Sequence, residues 1–430
     1  MYDVVVAGAG MAGSTLALAL VQKGLRVALI DKEVPCASWP KPAGVRVSAL
    51  SVASESLLRR LGIWKLIESE YTTPYENMAI WEEKSPSHLT FNARNVHWTH
   101  LGHIVENAAI CHAAIIQLKQ IDSSAIKMPT AFISHESDSN QTLVVHLSNG
   151  EHLKTRLLVG ADGAHSRVAR CSSIRKWGWS YPQSALVARF ATSSGHQSRA
   201  WQRFLAHGPL ALLPWGEKDV SIVWTSRHDK INDLIQMSPA ELNHAVRVAS
   251  DGAVGDMQSR SARIAFPLHL RLAESMIGKR VALVGDAAHV IHPQAGQGVN
   301  LGLMDVAALV DALDVTHPSV PVDCGDPRRL EEFHRKRYAH NLMMVLGVDA
   351  VGRCYLLSPG WLRHLRHTGV GMIQKMSILK NMIASEAMGI SALTPNLARP
   401  PSYPWLYDEL FNPQGNHFAD SILSRLDKDA

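Results

Sequence analysis

Three apolar runs along the chain are each followed at once by a glycine-containing turn, and they end near Ala7, Gly160 and Gly285. Continuous apolar runs of this length are typical of strands that are buried on both faces of a parallel sheet. The first run covers residues 2–7 and leads into a predicted helix over 11–22, which Gly24 is expected to end. A second strand is predicted over 26–30. The chain is therefore expected to begin with a complete strand–turn–helix–strand unit.

A different pattern appears around residues 184–190 and 220–225, where apolar and polar positions alternate. Alternation of this kind favours strands of an antiparallel sheet. Trp201, Trp215 and Trp224 lie in the same region; they are either pocket walls or core, and we favour core for each of them. From about Leu330 the pattern becomes helical.

These patterns predict an α/β protein with α+β character. We expect a Rossmann-like nucleotide-binding domain with a parallel sheet, a second domain with a mostly antiparallel sheet, and a C-terminal helical segment. The predicted boundaries are 1–75, 100–180 and 270–320 for the discontinuous first domain, 76–99 and 181–269 for the second, 321–399 for the helical region, and 400–430 for an irregular tail.

Composition and charge narrow the function classes. The 430 residues are 46% hydrophobic and carry a net charge of +5, which is too small an excess to indicate nucleic-acid binding. The 22 histidines show no spacing typical of a metal site. The five cysteines are scattered, so neither a disulfide framework nor a zinc site is expected, and a reducing compartment fits best. Without a secretory signal or a long apolar span, we expect a cytoplasmic protein.

The turn after the first strand has the spacing of a dinucleotide-binding loop. Gly8 allows a tight turn, Gly10 lets the backbone approach a pyrophosphate, and Gly13, one residue after Ala12, lets the helix pack closely on the sheet. Asp31 follows the second strand, where a carboxylate accepts from ribose hydroxyls and disfavours the 2′-phosphate of NADPH. This motif leaves FAD and NAD open, and the alternative is a glycine-rich turn in an empty unit.

The second and third turns favour a flavin. Asp162 follows a strand in a Gly-Ala-Asp-Gly turn, where it either helps to bind a nucleotide or only caps the next helix. Asp286 ends another strand, where its carboxylate could bind a polyol such as the ribityl chain. Gly296 and Gly298 stand at the predicted start of a helix, whose dipole would stabilise negative charge on the pyrimidine edge of a reduced flavin. NAD would need no such second site.

The third motif, His-Pro-Gln-Ala-Gly-Gln-Gly-Val-Asn-Leu-Gly at 292–302 followed by Asp305, carries a resemblance to a known family. Together with segments 46–51, 105–107, 201–204 and 208–214, it resembles the aromatic-ring flavin hydroxylases of the para-hydroxybenzoate hydroxylase type. The ubiquinone-biosynthesis hydroxylases are the more similar group. The resemblance covers about residues 1–399. Segments 61–64, 177–183 and 201–204 look most like the branch that hydroxylates the demethoxy-ubiquinol ring.

The resemblance implies an FAD-dependent monooxygenase that uses O₂ and transfers oxygen to an electron-rich ring through a flavin hydroperoxide. The implied substrate is a polyprenyl phenol or benzoquinol, with 2-polyprenyl-3-methyl-6-methoxy-1,4-benzoquinol expected for the demethoxy branch. NAD(P)H or a partner reductase would supply electrons. A hydroxylase of a soluble aromatic, a prenyl-chain reductase and a non-redox escort for prenylated partners are alternatives.

The resemblance also implies site residues. The ADP portion of FAD is assigned to Gly8, Gly10, Ala12, Gly13 and Asp31. The diphosphate and ribityl region is assigned to Arg46, Asn107, Asp162 and Asp286, and the isoalloxazine edge to Gly296, Gly298, Val299 and Asn300. Pro293 is expected to shape the wall on the reacting side. His289 and His292 either assist phenol deprotonation or serve in packing and hydrogen bonding.

Two departures from the family pattern concern Gln294, where an aliphatic residue is usual, and Asp31, where glutamate is common. The segment 361–367 mixes Trp, Leu, Arg and His, so it either rests on a membrane surface or forms a solvated helix face. The helical region from Leu330 carries the bases Arg335, Lys336, Arg337, Lys375 and Lys380 among apolar residues. For an enzyme that acts on a polyprenyl quinol, we expect peripheral contact with the inner membrane and membership of a biosynthetic complex.

Overall fold

The structure is a computed structural model that describes residues 1–33, 45–67, 69–83, 85, 88–139, 141–293, 296–313, 323–356 and 360–401. In chain order the helices are α1 Met11–Gln22, α2 Val52–Arg60, α3 Asn107–Ile121, α4 Arg167–Cys171, α5 His228–Gln236, α6 Pro239–Ala249, α7 Gly298–Leu313, α8 Pro327–Leu356, α9 Gly360–Lys375 and α10 Ser377–Ala387. The strands are β1 Tyr2–Ala7, β2 Val27–Ile30, β3 Val47–Ser51, β4 Thr72–Tyr75, β5 Asn77–Glu82, β6 His88–Asn92, β7 Gly102–Glu106, β8 Ile126–Lys127, β9 Phe132–Ser139, β10 Thr142–Leu147, β11 His152–Gly160, β12 Lys176–Thr192, β13 Arg199–Leu205, β14 Gly208–Trp215, β15 Asp219–Arg227, β16 Met257–Ser259, β17 Ile264–Ala273, β18 Ile277–Gly278, β19 Val281–Leu283 and β20 His289–Val290.

The first sheet has its parallel strands in the order β19, β11, β1, β2 and β8. Ala7 pairs with Gly160, and Gly160 pairs with Leu283, so three strands end at the same edge of the sheet. The predicted first strand and first helix are confirmed with the expected bounds. The strands of this sheet and α1 form the largest buried core. The three glycine-containing turns therefore meet at one sheet edge, which is where open α/β sheets bind ligands.

The second sheet is mostly antiparallel, as expected. Its strands follow the order β20, β17, β12, β15, β14, β13, β5 and β6, and only β13 and β5 run parallel. The predicted strands around 184–190 and 220–225 lie in β12 and β15, which pair with each other. Trp201, Trp215 and Trp224 are all buried in or beside its core, in agreement with the favoured interpretation.

The helical region from Leu330 is confirmed by α8, α9 and α10. Within it, Arg337 is only 2% exposed and bonds Asp305 inside the protein, so this base is not part of a solvated helix face. The tail from 402 and several side chains of 361–367 lie outside the described part. No helix among the described residues is long and apolar enough to cross a membrane. The α/β fold class is confirmed, while the domain boundaries stay a prediction.

Candidate functional site

The glycine loop between β1 and α1 combines two tight contacts with one open position. Gly8 has a φ of +104°, and a Cβ added to it would lie 2.3 Å from the carbonyl oxygen of Ala161. A Cβ on Gly13 would lie 1.8 Å from the carbonyl oxygen of Gly8. A Cβ on Gly10 would meet nothing within 4 Å. Gly8 and Gly13 are thus required by packing, whereas Gly10 faces the space into which a pyrophosphate would fit.

Ala12 lies where the first and third motifs touch. A Cβ built on Gly285 would lie 3.3 Å from the Ala12 methyl group, and one on Gly302 would lie 3.0 Å from the Gly285 Cα. The start of α1, the turn after β19 and the middle of α7 therefore pack directly on one another. Residues almost three hundred positions apart form one continuous surface at the sheet edge.

Asp31 holds the glycine loop. Its Oδ2 accepts from the backbone N–H of Ala9 at 2.7 Å, and its Oδ1 accepts from the N–H of Glu33 at 3.0 Å. The carboxylate is half-buried at the end of β2. Its position agrees with the predicted contact to an adenosine ribose, which stays a prediction.

Asp162 leaves one carboxylate oxygen for a ligand. Its Oδ2 accepts from the N–H groups of Arg167 at 2.6 Å and Val168 at 3.1 Å, so the predicted contact to the helix start is present. Ser166, rather than Asp162, is the capping residue of α4. The Oδ1 of Asp162 is buried and, within the described ranges, accepts no hydrogen bond. A buried acceptor without a donor is costly, and a cofactor hydroxyl would satisfy it.

Asp286 lies in the turn after β19, with a solvent-accessible side chain set in a recess. The surrounding protein raises the pKa of its carboxyl above the usual value, and the charges of His289 and Lys176 partly oppose this. Lys176 starts β12 and donates to the carbonyl oxygen of Ala164 at 3.3 Å. Burial lowers the pKa of Lys176, while the charges of Asp162 and Asp286 act to raise it. Lys176 is a site residue that the sequence patterns missed, because a lysine at the start of a strand has no distinctive spacing.

Arg46 and Asn107 lie next to each other. The N–H of Asn107 donates to the carbonyl oxygen of Arg46 at 3.1 Å, and Ser48 Oγ donates to Asn107 Oδ1 at 2.7 Å. The Arg46 guanidinium is exposed and lies 5.7 Å from the Phe266 ring centroid. The structure therefore brings together two residues that are 61 positions apart and were assigned to the same part of FAD.

The start of α7 presents backbone rather than side chains. Gly296 has a φ of +62°, and α7 begins at Gly298, followed by the half-buried Val299. The Asn300 side chain is engaged elsewhere: its Oδ1 accepts from Ser51 N at 2.9 Å and Ser54 Oγ at 2.8 Å. A contact between Asn300 and a flavin edge would thus have to use its backbone. Gln294 lies outside the residues that the structure describes.

His289 and His292 occupy different environments. His289 Nε2 lies 2.6 Å from Asp305 Oδ2, and both side chains are fully buried. Asp305 also accepts from Arg337 Nε at 2.9 Å, Asn341 Nδ2 at 2.9 Å and the backbone N–H of Gly285 at 3.2 Å. His289 therefore has a structural contact that anchors the Asp286 turn. Arg337 and Asn341 are two further residues that sequence patterns did not identify.

His292 faces a cavity of about 320 Å³ between the second sheet and α8. Its ring is 5% exposed and contacts the Tyr181 ring edge-on, with 5.0 Å between centroids. Burial lowers the pKa of His292 to about 4, so the imidazole is neutral near pH 7. Other walls are supplied by Trp179, Pro209, Val348 and Tyr355. Pro293, the predicted wall residue, directly follows His292 in the chain and is half-buried.

Taken together, these residues fit FAD. The open position at Gly10 and the buried Oδ1 of Asp162 are two features that a diphosphate and a hydroxyl-bearing chain would complete. Asp31 and Asp286 lie on the same sheet edge. The N-terminal end of α7, which carries the positive end of the helix dipole, comes six residues after the cavity residue His292 in the chain. The ring-sized cavity lies beside the segment that resembles a flavin-edge site.

A separate cluster joins Glu55, His100 and His103. His100 Nε2 and His103 Nδ1 each lie 2.9 Å from Glu55 Oε2, and Arg59 Nε donates to Oε1 at 2.8 Å. Burial opposes ionisation, but the charge and hydrogen bonds of the two histidines hold the pKa of Glu55 well below its usual range. Three ligand atoms within 4.8 Å would be compatible with a metal. Arg59 already neutralises the carboxylate, so we interpret the cluster as a buried ion pair that joins α2 to β7.

A family model described as an FAD binding domain matches residues 1–345 of the chain. The Escherichia coli (strain K12) protein named 3-demethoxyubiquinol 3-hydroxylase is 33% identical over 391 residues, which span 90% of this chain and 98% of the relative. The Danio rerio protein named ubiquinone biosynthesis monooxygenase COQ6, mitochondrial, is 32% identical and covers 90% of each chain. The Rhodospirillum rubrum protein named ubiquinone hydroxylase UbiL is 32% identical and covers 92% of each chain.

Solved structures share the architecture. The p-nitrophenol 4-monooxygenase PnpA from Pseudomonas putida DLL-E4 superposes with a TM-score of 0.72 at 16% identity, covering 90% of this chain and 98% of that one. PqsL of P. aeruginosa in complex with 2-aminobenzoylacetate gives a TM-score of 0.72 at 22% identity, with 86% and 99% covered. At these identities the likeness establishes the fold.

Proposed function

The chain belongs to the FAD-binding monooxygenase family, and from this premise we propose that it hydroxylates the ring of a polyprenyl benzoquinol in ubiquinone biosynthesis. The observation that carries the proposal is the cavity lined by His292 and Tyr181, since His292 is the first residue of the segment that resembles a flavin-edge site. Its size falls at the lower end of small-molecule pockets, which are about 300–1,000 Å³. A single aromatic ring with small substituents suits such a space.

We propose that Gly10, Asp31, Asp162 and Asp286 hold FAD, with Arg46 and Asn107 beside its diphosphate–ribityl region. FAD, once reduced with electrons derived from NAD(P)H, supplies the chemistry that activates O₂. The chain's own residues position the ring and exclude water. Burial keeps His292 neutral, and the cavity walls are largely apolar apart from the paired Asp349 and Arg353, so the ring is shielded from water.

The demethoxy-ubiquinol ring is our specific proposal for the substrate. Support comes from the 33% identity to the Escherichia coli 3-demethoxyubiquinol 3-hydroxylase over almost its whole length. The relatives named COQ6 and UbiL match at 32% identity, so an experiment has to decide which ring position is hydroxylated.

We also propose that the enzyme meets its substrate at a lipid surface. Helices α8 and α10 are joined by His340 and Glu386, whose side chains lie 3.3 Å apart. These helices, the end of α9 and the residue between α9 and α10 carry exposed apolar side chains, which we call the C-terminal apolar surface: Met343, Leu346, Met372, Met376, Ile378 and Met382. The exposed Lys375 adjoins it. Apolar side chains beside basic ones are typical of helices that lie on anionic bilayers.

Deleting the gene in its source organism tests the pathway assignment. The quinone extract should lack ubiquinone and accumulate the demethoxy precursor, identified by mass spectrometry. Re-expression of the parent protein should restore ubiquinone, and re-expression of a Gly10→Ala variant should not. Normal ubiquinone in the deletion strain would refute the assignment, and another accumulated precursor would move it to a different ring position.

A further inference from the structure

Tyr181 and Asp349 form a hydrogen bond in the wall of the cavity. Tyr181 lies on β12 and donates its hydroxyl hydrogen to Asp349 Oδ1 on α8 at 2.6 Å. Both residues line the cavity, so the bond between sheet and helix lies at its surface. The two positions are far apart in the chain, and neither belongs to a motif of the nucleotide site.

Asp349 is fixed at both of its oxygens. Arg353, one helical turn further along α8, donates from Nε to Asp349 Oδ2 at 2.6 Å. The Arg353 guanidinium lies 4.8 Å from the centroid of the Trp179 ring, which adds a cation–π contact. The carboxylate therefore cannot turn away from Tyr181 without losing an ion pair.

The direction of the Tyr181 hydrogen follows from this arrangement. A carboxylate only accepts, and a tyrosine hydroxyl has a single hydrogen, so that hydrogen is committed to Asp349. Burial and the neighbouring Asp349 raise the pKa of Tyr181 above its usual value, so the hydroxyl stays protonated. What the Tyr181 oxygen can still offer to a ligand is a lone pair.

We propose that Tyr181, with its hydrogen committed to Asp349, makes the cavity select a ring that presents a hydroxyl over one that presents a carbonyl. A quinol hydroxyl would donate to the Tyr181 oxygen. A quinone carbonyl would bring a second lone pair against it and leave both acceptors unsatisfied. Tyr181 is then a specificity-determining residue, Asp349 and Arg353 are positioning residues, and the inference rests on the proposed function because it assumes a quinol-type ligand.

The size of the effect can be bounded. Sites built to bind a hydroxyl reject analogues that lack it by up to about 10⁵-fold when the contact is fully buried. Tyr181 is only half-buried, and a single hydrogen bond contributes up to about 1.4 kcal/mol, which corresponds to about 10-fold discrimination.

The test compares affinities of the oxidised FAD-loaded enzyme, under anaerobic conditions, for a methoxy-methyl benzoquinol with a two-isoprene tail and for the matching quinone. Dissociation constants come from the change in flavin fluorescence. The parent should prefer the quinol by about 10-fold. Tyr181→Phe should weaken quinol binding and leave quinone binding within about two-fold, so that the preference disappears.

Asp349→Asn gives the sharper result. Arg353 should hold the amide oxygen, which turns the amide N–H₂ toward Tyr181 and frees the tyrosine hydrogen for the cavity. Quinone affinity should then rise, while a quinol hydroxyl, which can also accept, keeps its hydrogen bond; the quinol preference is lost through a gain in quinone binding, which a packing role would not produce. Tyr338→Phe, on the same helix but outside the cavity, is the matched control: its ring packs on His334 with 4.8 Å between centroids, and its quinol preference should equal that of the parent.

Equal affinities in the parent, an equal loss of both ligands in Tyr181→Phe, or parent-like binding in Asp349→Asn would each overturn the inference. The binding readout is separate from turnover. Hydroxylation with no quinol preference would refute the inference alone, whereas a quinol preference without hydroxylation would refute the proposed function alone. Failure of the parent to bind either ligand would refute both.

Discussion

The glycine loop shows how much a single residue decides at the cofactor site. Gly13 packs against the carbonyl oxygen of Gly8, while the space beside Gly10 is open. Both glycines were predicted from their spacing, but spacing alone does not tell which of them serves the fold and which serves the ligand. That distinction needed the position of neighbouring backbone atoms.

We therefore predict opposite outcomes for two substitutions. Gly10→Ala should leave the thermal stability of the FAD-free protein unchanged and lower FAD affinity by at least about 100-fold, because a methyl group would occupy the pyrophosphate space. Gly13→Ala should destabilise the protein by more than about 3 kcal/mol, since its Cβ overlaps backbone. Calorimetry of the FAD-free proteins and FAD titration measure the two effects. Full FAD affinity in Gly10→Ala would contradict the placement of the diphosphate.

The two histidines near the third motif illustrate the limit of sequence patterns at this scale. His289 and His292 are three positions apart, and the sequence left both as either proton-transfer or packing groups. In the structure one bonds a buried aspartate and the other faces the cavity. Their difference depends on α7 and on β12, which no local pattern around 289–292 reveals.

At the scale of elements, the sequence predicted which strands end in turns, and the shared edge follows from parallel pairing. It did not predict the buried network around Asp305. The partners Arg337 and Asn341 come from α8, whose first half reads as a basic, solvated helix. Only the packing of α7 against α8 shows that one of these bases points inward.

Asp305→Asn tests this network. Burial raises the pKa of Asp305, but the charges of His289 and Arg337 outweigh it and hold the pKa at about 2. Because this pKa is depressed, the charged Asp305 stabilises the fold above about pH 4 and less as the pH falls toward 2. At pH 7 the substitution should cost about 3–5 kcal/mol, since it leaves the buried Arg337 guanidinium with a neutral partner.

Unfolding of parent and variant should be followed at pH 7 and at pH 3, where the difference between them should be smaller. The matched control is Asp311→Asn on the same helix, where the carboxylate is half-exposed and accepts from Asn396 N at 2.6 Å. We expect a cost of about 1 kcal/mol there. Equal stability of parent and Asp305→Asn at pH 7 would show that the network contributes little.

At the scale of the whole molecule, the cavity is the feature that sequence analysis could not place. Its walls come from β12 and from α8, and the bond between Tyr181 and Asp349 spans 168 positions. The α8 wall carries no recognisable motif, and segment 177–183 on β12 was noted only for its resemblance to one branch of the family, which does not indicate a cavity. The nucleotide site could be predicted because its residues follow strand ends at fixed spacing, whereas the cavity depends on how a helix covers a sheet.

The C-terminal apolar surface leads to a prediction about the whole enzyme. Ile378→Ser combined with Met382→Ser should abolish flotation with vesicles of phosphatidylcholine and phosphatidylglycerol, since both side chains are more than 60% exposed one turn apart on α10. Val248→Ser, at an equally exposed position on α6, is the control and should float like the parent. A parent protein that stays unbound at low salt, or an equal loss in the control, would contradict membrane docking.

The most direct measurement of the central claim is a single turnover with labelled oxygen. The FAD-loaded enzyme is reduced anaerobically with one equivalent of dithionite, supplied with the two-isoprene demethoxy-type quinol, and mixed with ¹⁸O₂. A ring hydroxylase predicts a product with one ¹⁸O atom on the ring and none when the label is in water instead. Recovery of unchanged quinol with only hydrogen peroxide formed, or oxygen derived from water, would contradict it.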